Sequence, residues 1–178
     1  MNGANMDIRL CKSKDIEVTG AFYDRVVLWL ENHVNYPKWE YKVYPSRQFV
    51  EDTVKAETLY ICTDGEEIVG AFVLNDNPQG DYHKGDWTID LDEGKFLVIH
   101  SLAIAPESQG QGLGGRVIDF CIDEAKKRGY SSIRLDVVPD NIPAKKLYEK
   151  NGFTYSGDYD LGRGIEDIPE FSLYELNF

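Results

Sequence analysis

The sequence predicts an α/β fold, a mixed and mostly antiparallel central sheet of about seven strands with helices on both faces. Three observations carry that expectation. The run Phe96–Ala105, FLVIHSLAIA, is continuously apolar, rich in branched residues and short for a helix, as expected of a strand buried on both faces. Pro106 ends it; the loop QGQGLGG and a helical pattern follow, with Leu113, Val117, Ile118, Cys121, Ile122 and Ala125 on one face. A second buried run, SIRLDVV at 132–138, comes next, and a helix crossing between two strands makes them parallel. Earlier, TLYICTDGEEIVGAFVLND sets two β-rich runs around Asp64-Gly65, the signature of a hairpin.

The remaining elements follow in chain order. Met6 to Leu10 alternates and reads as a first strand. From Asp15 to about Val34, apolar residues at Ile16, Phe22, Val26, Trp29 and Leu30 keep helical spacing. The segment HVNYPKWEYKVYPS crowds Tyr36, Trp39, Tyr41 and Tyr44 between two prolines; it is too irregular for a helix and too polar for a core strand, and so predicts a folded loop with aromatic walls. Ser46 is the expected N-cap of a second helix carrying Phe49, Val50 and Val54. Residues 76–94 are polar, acidic and punctuated by glycine, which predicts a long surface excursion. Arg128-Gly129 ends the helix after the glycine loop. Asn141 caps a short helix that Gly152 closes, and 153–161 with 170–178 form a last strand pair. Without a linker-like stretch, one domain over 1–178 is expected.

Composition narrows the partners. With 19 basic and 31 acidic residues the formal charge is −12, which argues against nucleic acid or an anionic membrane surface. It suits a cationic small molecule or peptide, or simply solubility. No apolar run is long enough for a membrane span and the N-terminus lacks a leader pattern, so the expected location is cytoplasmic. Cys11, Cys62 and Cys121 are scattered and have no histidine at ligand spacing, so buried thiols are expected, without disulfide or metal.

A strand, glycine loop and helix in series offer unpaired N–H groups and partial positive charge to an anion, and glycine lets the backbone approach it. Gly110, Gly112 and Gly115 also fit the dinucleotide pattern G-x-G-x-x-G. Against that use, Pro106 to Gln109 delay the turn, and few strands remain downstream for a doubly wound sheet. The Walker sequence is missing its Gly-Lys-Ser/Thr.

The same loop also reads Q-x-x-G-x-G at Gln109, Gly112 and Gly114. Downstream, VVPDNIPAKKLYEKNGF reads N-x-x-A-x-x-L-Y-x-x-x-G-F at Asn141, Ala144, Leu147, Tyr148, Gly152 and Phe153. Together the two segments resemble the GCN5-related N-acetyltransferase (GNAT) superfamily, closely over residues 95–155. The resemblance implies the acyl-CoA N-acyltransferase fold, in which the parallel pair splays apart. It implies acetyl-CoA as cosubstrate, with the pyrophosphate on the amides of Gly110, Gln111, Gly112, Leu113, Gly114 and Gly115 and with Gln109 among the coenzyme-binding residues. The pantetheine arm would pair with the backbone of Leu102, Ala103 and Ile104, and Asn141 would contact the coenzyme. The N–H of Leu102 would stabilise the oxyanion, and Tyr148 would protonate the departing thiolate.

The general base is less determined by this resemblance. The position where some members carry a glutamate is Val98, and His100, on the same face, matches a histidine that other members use as a proton relay. Glu40 is a second candidate. The acceptor is expected to be a primary amine of a small molecule or peptide, walled by Trp29, His33, Tyr36, Trp39, Tyr41 and Tyr44 and by the 160–167 loop, whose Arg163 could meet an acidic group. Homodimers are common in the family. The missing glutamate leaves an alternative, a noncatalytic CoA-binding module with a sensing or regulatory role.

Overall fold

The structure, a computed structural model, describes residues 6–178. Seven strands form one sheet: β1 (Met6–Leu10), β2 (Leu59–Asp64), β3 (Glu67–Asn75), β4 (Leu97–Ile104), β5 (Ser132–Val137), β6 (Thr154–Tyr159) and β7 (Phe171–Asn177). Their spatial order is β1-β2-β3-β4-β5-β7-β6. The helices are α1 (Ile16–Glu31), α2 (Arg47–Lys55), α3 (Leu113–Lys127) and α4 (Ile142–Lys150). This is the expected mixed α/β class, and β4 with β5 is its parallel pair, Leu97 opposite Ile133 and Val98 opposite Arg134. Packing divides the described residues into two compact units, one up to Leu74 together with Ser101–Phe120, the other Asn75–His100 with Cys121–Phe178. Residues 1–5, which the one-domain expectation over 1–178 includes, lie outside the described residues.

In the first unit β1 lies antiparallel on β2, and β2 turns into β3 through Gly65-Glu66, with Gly65 at a left-handed φ of 62°. Opposite Cys62 and Thr63 stand Gly70 and Ile68, so Val69 is the extra residue of a bulge. Gly70 sits in a close approach: a Cβ there would be crowded, 3.2 Å from Cys62 Sγ and 3.3 Å from the Ala103 carbonyl. Helix α1 buries Phe22, Tyr23, Val26, Val27 and Leu30. At the start of α2 the Ser46 hydroxyl accepts the Phe49 N–H at 3.1 Å, a cap worth about 1 kcal/mol.

In the second unit β7 pairs antiparallel with both β5 and β6. Its core gathers Tyr82, Phe96, Val98, Val138, Leu161, Ile168, Phe171 and Leu173. Tyr82 belongs to the polar segment expected to lie on the surface, and that expectation needs correcting. Its ring stacks over Phe96, and Trp87 donates to the Tyr82 carbonyl at 2.6 Å. The Arg134 guanidinium is sandwiched between Trp87 and Phe96, 4.1 and 4.2 Å from the ring centroids, and donates to the Ile89 carbonyl at 2.7 Å. Glu175, opposite Arg134 on β7, accepts the Thr88 N–H at 2.6 Å. The excursion is therefore a strap fastened to β5 and β7 by charged side chains that are themselves buried.

All three cysteines are buried. Burial pushes the Cys62 thiol up to about 12.

Candidate active site

The loop from Gln109 to Gly112 is exposed, and Leu113, which opens α3, is buried beneath it. Gly110 and Gly112 have φ of 75° and 80°, and nothing stands within 4 Å of a Cβ placed on either. Their requirement is thus conformational, a left-handed backbone beside open space. The Arg116 N–H bonds the Gly112 carbonyl at 3.2 Å, so the N–H groups of Leu113, Gly114 and Gly115 precede the helical ladder. Gln111 donates its side-chain amide to the Glu107 carbonyl at 3.0 Å, and Glu107 pairs with Arg25 of α1, which ties the loop down from both sides. The arrangement suits an anion chelated by main-chain donors at a helix N-terminus.

Just upstream, Ser101 interrupts β4 with a φ of 51°, a left-handed backbone at a residue other than glycine. Two tyrosines reach it from separate elements. The Tyr23 hydroxyl of α1 donates to the Ser101 carbonyl at 2.9 Å, and the Tyr44 hydroxyl bonds the Ser101 hydroxyl. Leu102, Ala103 and Ile104 complete β4 after this break, with Ala103 buried and its neighbours half-buried. The aromatic loop is folded inward rather than standing as a free wall: Trp39 and Phe49 each meet both Tyr23 and Tyr44 edge to face. Trp29 stacks on His33 at 4.0 Å, and Glu40 is exposed. Sequence reasoning missed the break at Ser101. Its signal was the polar pair His100-Ser101 within an apolar run, which a regular strand would have turned to opposite faces.

The second unit holds the other predicted residues. The Asn141 side chain accepts the Ala144 N–H at 3.2 Å and caps α4, with Pro143 in the first turn. One turn further along α4, Tyr148 is 7% exposed and sits edge to face with Phe153. Burial lifts its phenol well above the ordinary tyrosine range, and the Cys121 thiol and Asp136 carboxylate push the same way. The phenol keeps its proton at neutral pH and remains a donor.

His100 is 8% exposed, with Nε2 3.0 Å from Oδ1 of Asn75. Burial pulls its pKa below the ordinary value of 6.5 and Arg163 acts in the same direction, while Asp136 opposes them. The imidazole is therefore neutral at pH 7.

Asp136 touches the electrostatics of both His100 and Tyr148, and the sequence did not single it out for this role. Arg163 grips it with two bonds of 2.9 and 2.6 Å, and Tyr82 donates to it at 2.5 Å. Arg163 also donates to the Gln79 carbonyl and lies over the Phe171 ring, so its expected availability to an acidic acceptor is corrected: it is an internal partner of Asp136.

The fold defines a class, a mixed α/β protein; its first unit carries a main-chain anion cradle at a helix N-terminus, and its second a buried phenol donor on α4. The chain belongs to the Acetyltransferase (GNAT) family, whose sequence model matches residues 25–153. A mycothiol acetyltransferase of Geodermatophilus obscurus is 31% identical over 97 residues, covering 53% of this chain and 28% of that protein. The [ribosomal protein bS18]-alanine N-acetyltransferase of Escherichia coli K12 is 40% identical over 63 residues, 35% of this chain and 40% of that enzyme. The chain thus spans less than half the length of these relatives. Among solved structures, a GNAT family acetyltransferase of Streptococcus agalactiae superposes with a TM-score of 0.77 at 17% identity, over 98% of this chain and 96% of that one.

Proposed function

We propose that the protein transfers an acetyl group from acetyl-CoA to a primary amine of a small molecule or peptide, by direct attack within a ternary complex, and that both units serve one catalytic domain. The observation that carries this reading is the cradle at Gly110 and Gly112, two left-handed glycines in open space at the start of a 15-residue helix. Its main-chain donors fit a pyrophosphate. Acetyl-CoA supplies the activated acyl group as a thioester. The backbone of Leu102, Ala103 and Ile104 binds the pantetheine arm, Asn141 meets the coenzyme, and the Leu102 N–H takes the charge that develops on the carbonyl oxygen.

Tyr148 returns a proton to the thiolate, a role that its retained proton supports. His100 accepts the proton of the amine, a role that its neutral imidazole supports. One relative is named as an N-acetyltransferase of a ribosomal protein's alanine, which is in keeping with an amine acceptor, and another as a mycothiol acetyltransferase, which is in keeping with acetyl transfer.

Thiol release from acetyl-CoA, measured against a panel of amines, tests the proposal. The expected result is release that depends on one class of amine and falls by about 10²-fold or more in Tyr148→Phe, the scale of general acid catalysis. Tight coenzyme binding without turnover across the panel would instead favour the noncatalytic CoA-binding module.

A further inference from the structure

The Ser101 carbonyl and the Leu102 N–H are the two ends of a single peptide unit. The bond that Tyr23 donates to that carbonyl therefore acts on the group that, on the acetyl-transfer reading, faces the developing oxyanion. The geometry points to Tyr23 and Tyr44 as positioning residues that lock the Ser101–Leu102 peptide and strengthen its N–H as an oxyanion donor. This inference rests on that reading and goes beyond it by assigning work to two side chains outside the family motifs.

Four observations support it. The φ of 51° at Ser101 belongs to the left-handed region, which a residue with a side chain enters only when its surroundings hold it there. Two hydroxyls converge on this one residue, Tyr23 on the carbonyl and Tyr44 on the side chain. Tyr23 is fully buried and burial lifts its phenol well above the ordinary range, so it stays a donor across the working pH range. The edge-to-face ring contacts with Trp39 and Phe49 fix both hydroxyls in place.

The electronic consequence is ordinary hydrogen-bond cooperativity. A proton donated to a peptide carbonyl draws density from its nitrogen and makes the N–H at the other end a better donor. The steric consequence follows from the break in β4, because a left-handed residue turns the following peptide out of the plane of a regular ladder. Tyr44 links this peptide to the aromatic loop, so the loop that the acceptor reading places around the amine also helps hold the oxyanion donor.

The test pairs kinetics with the 15N and 1H resonances of the Leu102 amide. In Tyr23→Phe the expected results are a fall in kcat of about tenfold, an acetyl-CoA Kd within twofold of the parent, and a displaced Leu102 amide resonance. Tyr44→Phe is expected to lower kcat less, and adding Ser101→Gly is expected to recover part of that loss, since glycine adopts the left-handed backbone without a tether. An unmoved Leu102 resonance in Tyr23→Phe overturns the proposal, whatever happens to kcat. So does a loss that appears wholly in acetyl-CoA affinity, which would mark general damage to the fold. If the parent protein transfers no acetyl group to any amine while the Leu102 resonance still moves in Tyr23→Phe, the locked peptide stands and the acetyl-transfer reading falls.

Discussion

The glycine loop of Gln109–Gly115 and the strap of residues 76–94 are both rich in glycine and polar residues, yet they behave in opposite ways. The loop is open, and a side chain at Gly110 or Gly112 would meet nothing within 4 Å. The strap is packed: a Cβ on Gly80 would lie 2.3 Å from the Leu161 carbonyl, and one on Gly85 would fall into the Trp87 ring. Similar composition thus serves two purposes, leaving room for a ligand in one place and letting backbone approach its own protein in the other. What separates them is the partner of each polar group, which composition does not report.

Substitutions can break or sharpen that contrast. The largest effect is expected at the strap. Arg134→Ala removes the guanidinium between two rings and leaves the buried Glu175 without its positive neighbour, at a cost of about 3 kcal/mol. Chemical denaturation should show that loss, and a midpoint within experimental error of the parent would mean that the strap carries no load. Tyr82→Phe removes a donor to the Asp136 carboxylate and should cost about 2 kcal/mol, read from the same curves. The loop should respond the other way. Gly112→Ala forces a side chain into a left-handed backbone at about 1–2 kcal/mol, and with it about tenfold in acetyl-CoA affinity by calorimetry. Unchanged affinity would remove the cradle from the binding site.

The smallest effect is a pH dependence. Because the pKa of His100 lies lower in the folded protein than its ordinary 6.5, the unfolded chain takes up a proton there that the folded one resists. Stability from this source is complete above about pH 6.5 and is lost as pH falls through the folded value, by at most about 1.4 kcal/mol per pH unit. Denaturation midpoints at several pH values, compared with His100→Gln, should show the slope in the parent and a shallower one in the variant.

Local signals carried the parts of the fold that were legible. Ser46 and Asn141 cap the helices they were expected to cap, because each bonds an N–H three residues on. The hairpin at Gly65, the break at Gly129 and the parallel β4–β5 pair follow from patterns a few residues long or from one crossing helix. The features that the sequence hid join residues far apart. Arg163 meets Asp136 across 27 positions and Tyr82 meets it across 54, and nothing in a linear pattern marks those distances. Tyr82 and Trp87 were concealed for another reason: they are isolated apolar residues in a polar segment, without the periodicity that identifies a buried face. The break at Ser101 was half legible as a polar pair in an apolar run, but its two tyrosine partners came from a helix, Tyr23 of α1, and from the irregular aromatic loop, Tyr44, neither adjacent to it in the chain.

The buried cysteines have a practical consequence for measurement. A thiol-reactive dye needs an accessible thiolate, and the Cys62 proton is held up to about 12 in the folded chain. Added to the native protein, such a dye should count only the coenzyme thiol that the proposed acetyl transfer would release. On denaturation Cys11, Cys62 and Cys121 should become reactive together, so one reagent can serve as a meter of catalysis at first and then as a titration of the unfolded fraction.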